Sequence, residues 1–155
     1  MTLNYRDELW ALVEGLTDEE LNKKIGDGKW SIAQVLEHLL LTEQHILQEI
    51  KGSLTRKETK EKPVHYTVNR SHKVEAPEQL VPSNEFHTLD SLKEKMVKSR
   101  ENIEKKLEQF SEEELNQLSL YHFAFGSVKL KQWLPFIHYH EKRHIEQIKE
   151  IKDAL

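Results

Sequence analysis

From Trp133 onward one stripe runs through Trp133, Ile137, His140, His144, Ile148, Ile151 and Leu155, in steps of four, three, four, four, three and four. Residues at that period line one side of an α-helix, which has to be buried against other elements. Three more stretches carry the same pattern. The first runs from Leu3 to Leu16 with Leu9, Leu12, Val13 and Leu16 on one side. Thr17-Asp18-Glu19-Glu20 then reads as a capping box that starts a short extra helix. Ser31 with Gln34 gives the same start signal for a second long helix, to about Lys51, with Ile32, Val35, Leu36, Leu39, Ile46 and Ile50 inward. Thr88 or Asp90 caps a third, to about Phe110, carrying Leu92, Met96, Ile103, Leu107 and Phe110, and Ser111 to Glu114 repeats the capping box. The last helix is expected to begin near Ser127, with a kink or a later start at Pro135. Between the second and third helices, Gly52 to His87 shows no sustained period and holds three of the four prolines, so it should cross over the fold or cover a site. Four long amphipathic helices with a long middle connection read as an all-α four-helix bundle, one domain over residues 1–155.

Composition removes whole classes of function. The chain has no cysteine, which excludes disulfides, thiolate ligands and a cysteine nucleophile, and fits a reducing compartment. Its net charge of −4 argues against nucleic acid or an anionic membrane as partner. The locally basic stretch from Lys51 to Lys62 reads as a solvated loop. There is neither an apolar run long enough to span a bilayer nor a leader pattern, so a cytoplasmic location is expected.

Nine histidines in 155 residues would produce about half a His-x-x-x-His pair by accident, so spacing needs context. The pair His140 and His144 has it, because both occupy positions where the helix stripe calls for Leu or Ile. Two imidazoles stacked one turn apart in a core are costly unless bonded or liganded, and their nitrogens can converge on one ion. A third ligand must come from another helix. His38, flanked by Leu36, Leu39, Leu40 and Leu41, is the candidate, with His45 two turns on as the substitute. His138 points away around the helix, and His65, His72 and His87 read as solvated. His140-Glu141-Lys142-Arg143-His144 also spells H-E-x-x-H, the zinc-protease signature. With eleven residues after His144 there is no room for a downstream ligand helix, and Glu141 reads more simply as a solvated helix residue than as a base.

Three segments carry a family likeness. Trp30-Ser31 leads to His38-Leu39. Ala76-Pro77 runs through Leu80 to Pro82. His122, Phe125, Gly126, Trp133 and Leu134 precede His140-Glu141-x-Arg143-His144 and Gln147. The chain resembles the DinB/YfiT-like metalloenzymes, damage-inducible proteins with H-P-x-F-G-x-L-T-x-x-E-W-L followed by H-x-x-R-H-x-x-Q. It departs at Phe123, Val128, Lys129, Gln132 and Pro135, none of them a candidate ligand. The likeness spans about Trp30 to Ile148. It implies an up-up-down-down bundle, a role in stress response, a homodimer, and a metal site on His38, His140 and His144. Some members are S-transferases that use bacillithiol, or isomerases that use mycothiol.

Three imidazoles leave a divalent ion, zinc or nickel, its full charge and an open position. Such a site can make hydroxide from bound water or hold a thiol as thiolate. The first expectation is transfer of a bacillithiol-like thiol cosubstrate to an electrophilic small molecule. The alternatives are a metal-dependent hydrolase using bound hydroxide and a non-catalytic binding bundle. Glu141 and His122 are the candidate catalytic proton carriers.

Overall fold

The computed structural model describes residues 4–71 and 74–155. Its elements in order are α1 (Arg6–Val13), α2 (Asp18–Asn22), α3 (Ile32–Gly52), β1 (Thr55–Arg56), α4 (Leu89–Glu108), α5 (Glu112–Gln117), β2 (Leu118–His122), β3 (Gly126–Lys129) and α6 (Trp133–Asp153). Short 3₁₀ turns occupy Val64–Val68, Glu78–Leu80 and Leu130–Gln132. The fold is mostly helical. The expected helix starts are present as hydrogen bonds: Thr17, Ser31 and Ser111 each form a full capping box with Glu20, Gln34 and Glu114, and Thr88 accepts from the Ser91 backbone. Leu3, and His72 in the crossover, lie outside the described residues.

To the helices expected of an all-α chain the structure adds a small sheet. A three-stranded antiparallel sheet, in the order β1-β2-β3, packs through Leu120 and Val128 against Ile46, Ile50, Ile103 and Trp133 of the long helices. Its register pairs Thr55 with Ser119, Leu120 with Val128, and His122 with Gly126. The strands are too short to show a period: Leu120 and Val128 face inward while Tyr121 between them is exposed. The same hairpin explains why the last helix does not start at Ser127. Ser127 and Val128 are held by the ladder to β2, and the helix begins only at Trp133. Pro135 then falls in the first turn, where a missing N–H leaves no helical bond unmade.

The apolar interior is in two parts. One gathers Leu9 and Val13 of α1, Leu21 of α2, Ile32 to Leu40 of α3, Leu92 and Met96 of α4, and Ile145, Ile148 and Ile151 of α6. The other gathers Ile46 and Ile50 of α3, Ile103 of α4, Leu120 and Val128 of the sheet, and Trp133, Phe136 and Ile137 of α6. Along each long helix, the residues between the two parts are polar and mostly buried: Thr42 and Glu43, Ser99 and Arg100, Glu141 and His144. A polar layer therefore crosses the middle of the molecule.

Gly126 closes the hairpin with φ +77, a left-handed conformation, and a Cβ built on it would meet nothing. Backbone strain alone should set the cost of Gly126→Ala, about 1–2 kcal/mol by denaturant unfolding. An unchanged midpoint would contradict the turn geometry.

Candidate metal centre

His38 stands in the middle of α3, and His140 and His144 one turn apart on α6. Their ring centroids are 4.6 to 5.1 Å apart. The Nε2 atom of His140 lies 3.3 Å from Nε2 of His38 and 3.1 Å from Nε2 of His144. All three rings offer a ligand atom within 4.8 Å of one another. For tetrahedral zinc with nitrogens at about 2.0–2.1 Å, neighbouring ligand nitrogens sit roughly 3.3 Å apart. The observed spacings fit that shell.

The protons decide what this arrangement wants. His38 Nδ1–H donates to the Leu80 carbonyl at 2.8 Å, and His144 Nδ1–H donates to Gln147 Oε1 at 2.7 Å. Those oxygens fix both rings as Nδ1–H tautomers and leave both Nε2 atoms as bare lone pairs. A neutral His140 can place a single proton on Nε2, so one of its two close contacts must be lone pair against lone pair. Protonating a second ring is disfavoured. Burial, then the neighbouring imidazoles, hold His140 well below the usual histidine range, burial pushes His144 down to about 3, and burial also lowers His38. A cation at the meeting point satisfies all three nitrogens.

The crossover takes part through its backbone. Pro77 opens the 3₁₀ turn Glu78–Leu80, whose last carbonyl holds His38. Gln34 and Glu37 of α3 clamp the segment that follows: Gln34 Nε2 donates to the Ser83 carbonyl, and Glu37 accepts from Ser83 and from His87 Nε2 at 3.1 Å. His87 is thus partnered, where the sequence suggested a solvated side chain.

The other candidates separate. His45 sits away from the cluster, 3.9 Å from Glu49 and partly exposed. His65 is exposed beside Tyr66. His138 is only half-buried, with its Nδ1 buried and unpartnered among the described residues. His122 ends β2. Its Nδ1 accepts from the backbone N–H of Ala124 at 3.0 Å and of Phe125 at 3.3 Å. Its ring packs 4.9 Å from Phe136, which in turn stacks 5.7 Å from His140. Burial pushes His122 down to about 4.

Glu141 is not the solvated residue expected. It is 1% exposed. One carboxylate oxygen accepts from Arg6 and the other from Arg100 Nη2 at 3.2 Å. Glu43 shares both arginines, at 3.1 Å from Arg6 and 2.7 Å from Arg100. This four-charge cluster ties α1, α3, α4 and α6 together, and it was missed in the sequence. A signal was available: Ile137, Glu141, Ile145 and Ile148 form a second inward stripe, and a carboxylate placed there has to find cations.

With this geometry in hand, comparison with known proteins is informative. The model of the DinB superfamily matches residues 3–148. The chain belongs to the DinB superfamily. This DinB protein is 36% identical over 153 residues to "Uncharacterized protein YuaE" of Bacillus subtilis (strain 168), covering 97% of this chain and 94% of that protein. It is 25% identical over 146 residues to "Putative metal-dependent hydrolase OB0413" of Oceanobacillus iheyensis, covering 94% of this chain and 78% of that protein. A "Putative metal-dependent hydrolase" of Geobacillus thermodenitrificans is 40% identical over 57 residues, 37% of this chain and 32% of that protein. No solved structure matches the chain.

The lowered histidine values have a measurable consequence in metal-free protein. A histidine whose folded pKa lies below its unfolded value takes up its proton first in the unfolded chain, so its stabilising effect is present above about pH 6.5 and is lost as pH falls. His122, at about 4 when folded, sets a window from about pH 6.5 down to 4. The thermal midpoint should therefore fall from pH 7 to pH 5, and less steeply in His122→Asn. Identical slopes in the two proteins would contradict the burial of His122.

Proposed function

We propose that this chain is a metal-dependent hydrolase acting on small molecules, with His38, His140 and His144 holding one divalent ion, zinc or nickel. The observation that carries this reading is the meeting of three Nε2 atoms with too few protons between them. The names of two relatives point the same way. The ion would supply Lewis acidity, making a nucleophile available near neutral pH. The chain's own residues do the rest. Leu80 and Gln147 hold two of the rings in the tautomer that presents Nε2 to the centre. His122 keeps its proton on Nε2, because Nδ1 is occupied by two backbone donors, and stands one ring away from His140; we assign it the proton movement. Glu141, with an arginine on each oxygen, is assigned to holding the helices rather than to base catalysis.

The same reading takes α1, α3, α4 and α6 as the members of an up-up-down-down bundle, crossing over between α3 and α4, in a cytoplasmic homodimer. Thiol transfer, the first expectation from the sequence, would use the same ligands but needs its thiol from solution, since the chain has no cysteine.

Metal-loaded protein should hydrolyse members of an ester and amide panel without added thiol. His144→Ala should lose its stoichiometric metal and at least about 100-fold in rate while remaining folded. Turnover that appears only with a bacillithiol-type thiol would overturn hydrolysis in favour of transfer. Full metal content in His144→Ala would overturn the ligand set.

A further inference from the structure

Two of the three clustered rings have their outward nitrogen bonded to an oxygen, His38 to Leu80 and His144 to Gln147. His140 has no hydrogen-bond partner on Nδ1 among the described residues. In the same layer, Glu43 has one carboxylate oxygen crowded by donors and the other stranded. Oε2 accepts from Arg6 and from two nitrogens of Arg100, whereas Oε1 is buried with no partner among the described residues. An unsatisfied buried carboxylate oxygen is costly and calls for a donor.

His140 and Glu43 line one small cavity, together with Leu39, Thr42, Arg100, Ile137 and Glu141. Its volume is about 10 Å³. That is roughly the room one water molecule requires, and a water is stable in such a space when two or more polar groups surround it. Thr42 Oγ1 already donates to the His38 carbonyl at 2.8 Å, so its lone pairs remain free to accept.

We infer that this cavity holds one ordered water that accepts from His140 Nδ1–H and donates to Glu43 Oε1, making Glu43 a positioning residue for His140. Thr42 Oγ1 offers an acceptor for the second water proton. The inference rests on the metal reading, because an ion on Nε2 is what sends the His140 proton to Nδ1. It gives each of the three rings an outward oxygen partner: a carbonyl, an amide and a carboxylate-held water. It also explains why a second carboxylate is buried beside Glu141. Charge balance with the two arginines accounts for Glu43 Oε2, and the water accounts for Oε1.

The test compares Glu43→Gln with Glu141→Gln in the full chain, using zinc alone in competition with a chromophoric chelator. Both variants remove one charge from the same arginine pair, so a merely structural role lowers zinc affinity alike in both. The inference expects Glu43→Gln to bind zinc roughly 10–100-fold more weakly than Glu141→Gln does. Equal losses, or an unchanged Glu43→Gln beside a zinc-binding wild type, overturn the inference and leave the metal reading standing. Failure of the wild type to bind zinc overturns both. A second measurement needs no variant: ¹⁵N imidazole NMR of the zinc-loaded wild type should show His140 protonated on Nδ1, with a water cross-relaxing to that proton. A deprotonated Nδ1, or one bonded directly to a protein oxygen, contradicts the assignment.

Discussion

The polar layer between the two apolar cores is the constraint on which the rest of this molecule depends. Glu43, Glu141, Arg6 and Arg100 bring four formal charges into a helical interior, with side-chain exposures between 1% and 12%. Desolvating each charge costs several kcal/mol, and the cost is recovered only when every partner stays in place. Here each carboxylate meets both guanidiniums, the charges sum to zero, and burial of Arg100 is outweighed by the two carboxylates that hold its pKa above the usual value. The partners come from four different helices. Sliding any one helix by a turn would strand a charge, so the layer fixes the register of α1, α3, α4 and α6 against one another.

That register is what makes the imidazole cluster possible. His38 and His140 lie 102 positions apart, on different helices, and their nitrogens meet at 3.3 Å. The charge cluster sits beside them: on α6 Glu141 directly follows His140, and on α3 Glu43 lies five residues beyond His38. One side of the layer thus supplies rigidity through paired charges. The other side holds lone pairs that the protein itself leaves unsatisfied. A site built this way has its geometry set before any ligand arrives, which is the condition for a tight and specific centre.

Much of this was legible in the chain and some was not, for identifiable reasons. The stripe through His140 and His144, and the leucine-rich surroundings of His38, are strong local patterns, and the structure brings these three rings together. The capping boxes at Thr17, Ser31 and Ser111 are equally local and are all formed. The hairpin was hidden because strands of five and four residues carry little period, and Pro135 pointed only to a later helix start without showing what preceded it. The supports of the site, Leu80 and Gln147, act through a backbone carbonyl and a side-chain amide. Neither has a spacing signature that sets it apart from an ordinary residue. Glu141 was misplaced because a glutamate within a run of charged residues reads as solvated unless the second inward stripe is counted.

The central claim is that three imidazole nitrogens share one divalent ion. Zinc-edge anomalous diffraction from crystals grown with one equivalent of zinc tests it most directly. The account predicts a single strong anomalous peak about 2.0–2.1 Å from Nε2 of His38, His140 and His144. A peak elsewhere on the molecule, or none at this point with the three rings still facing one another, would contradict it.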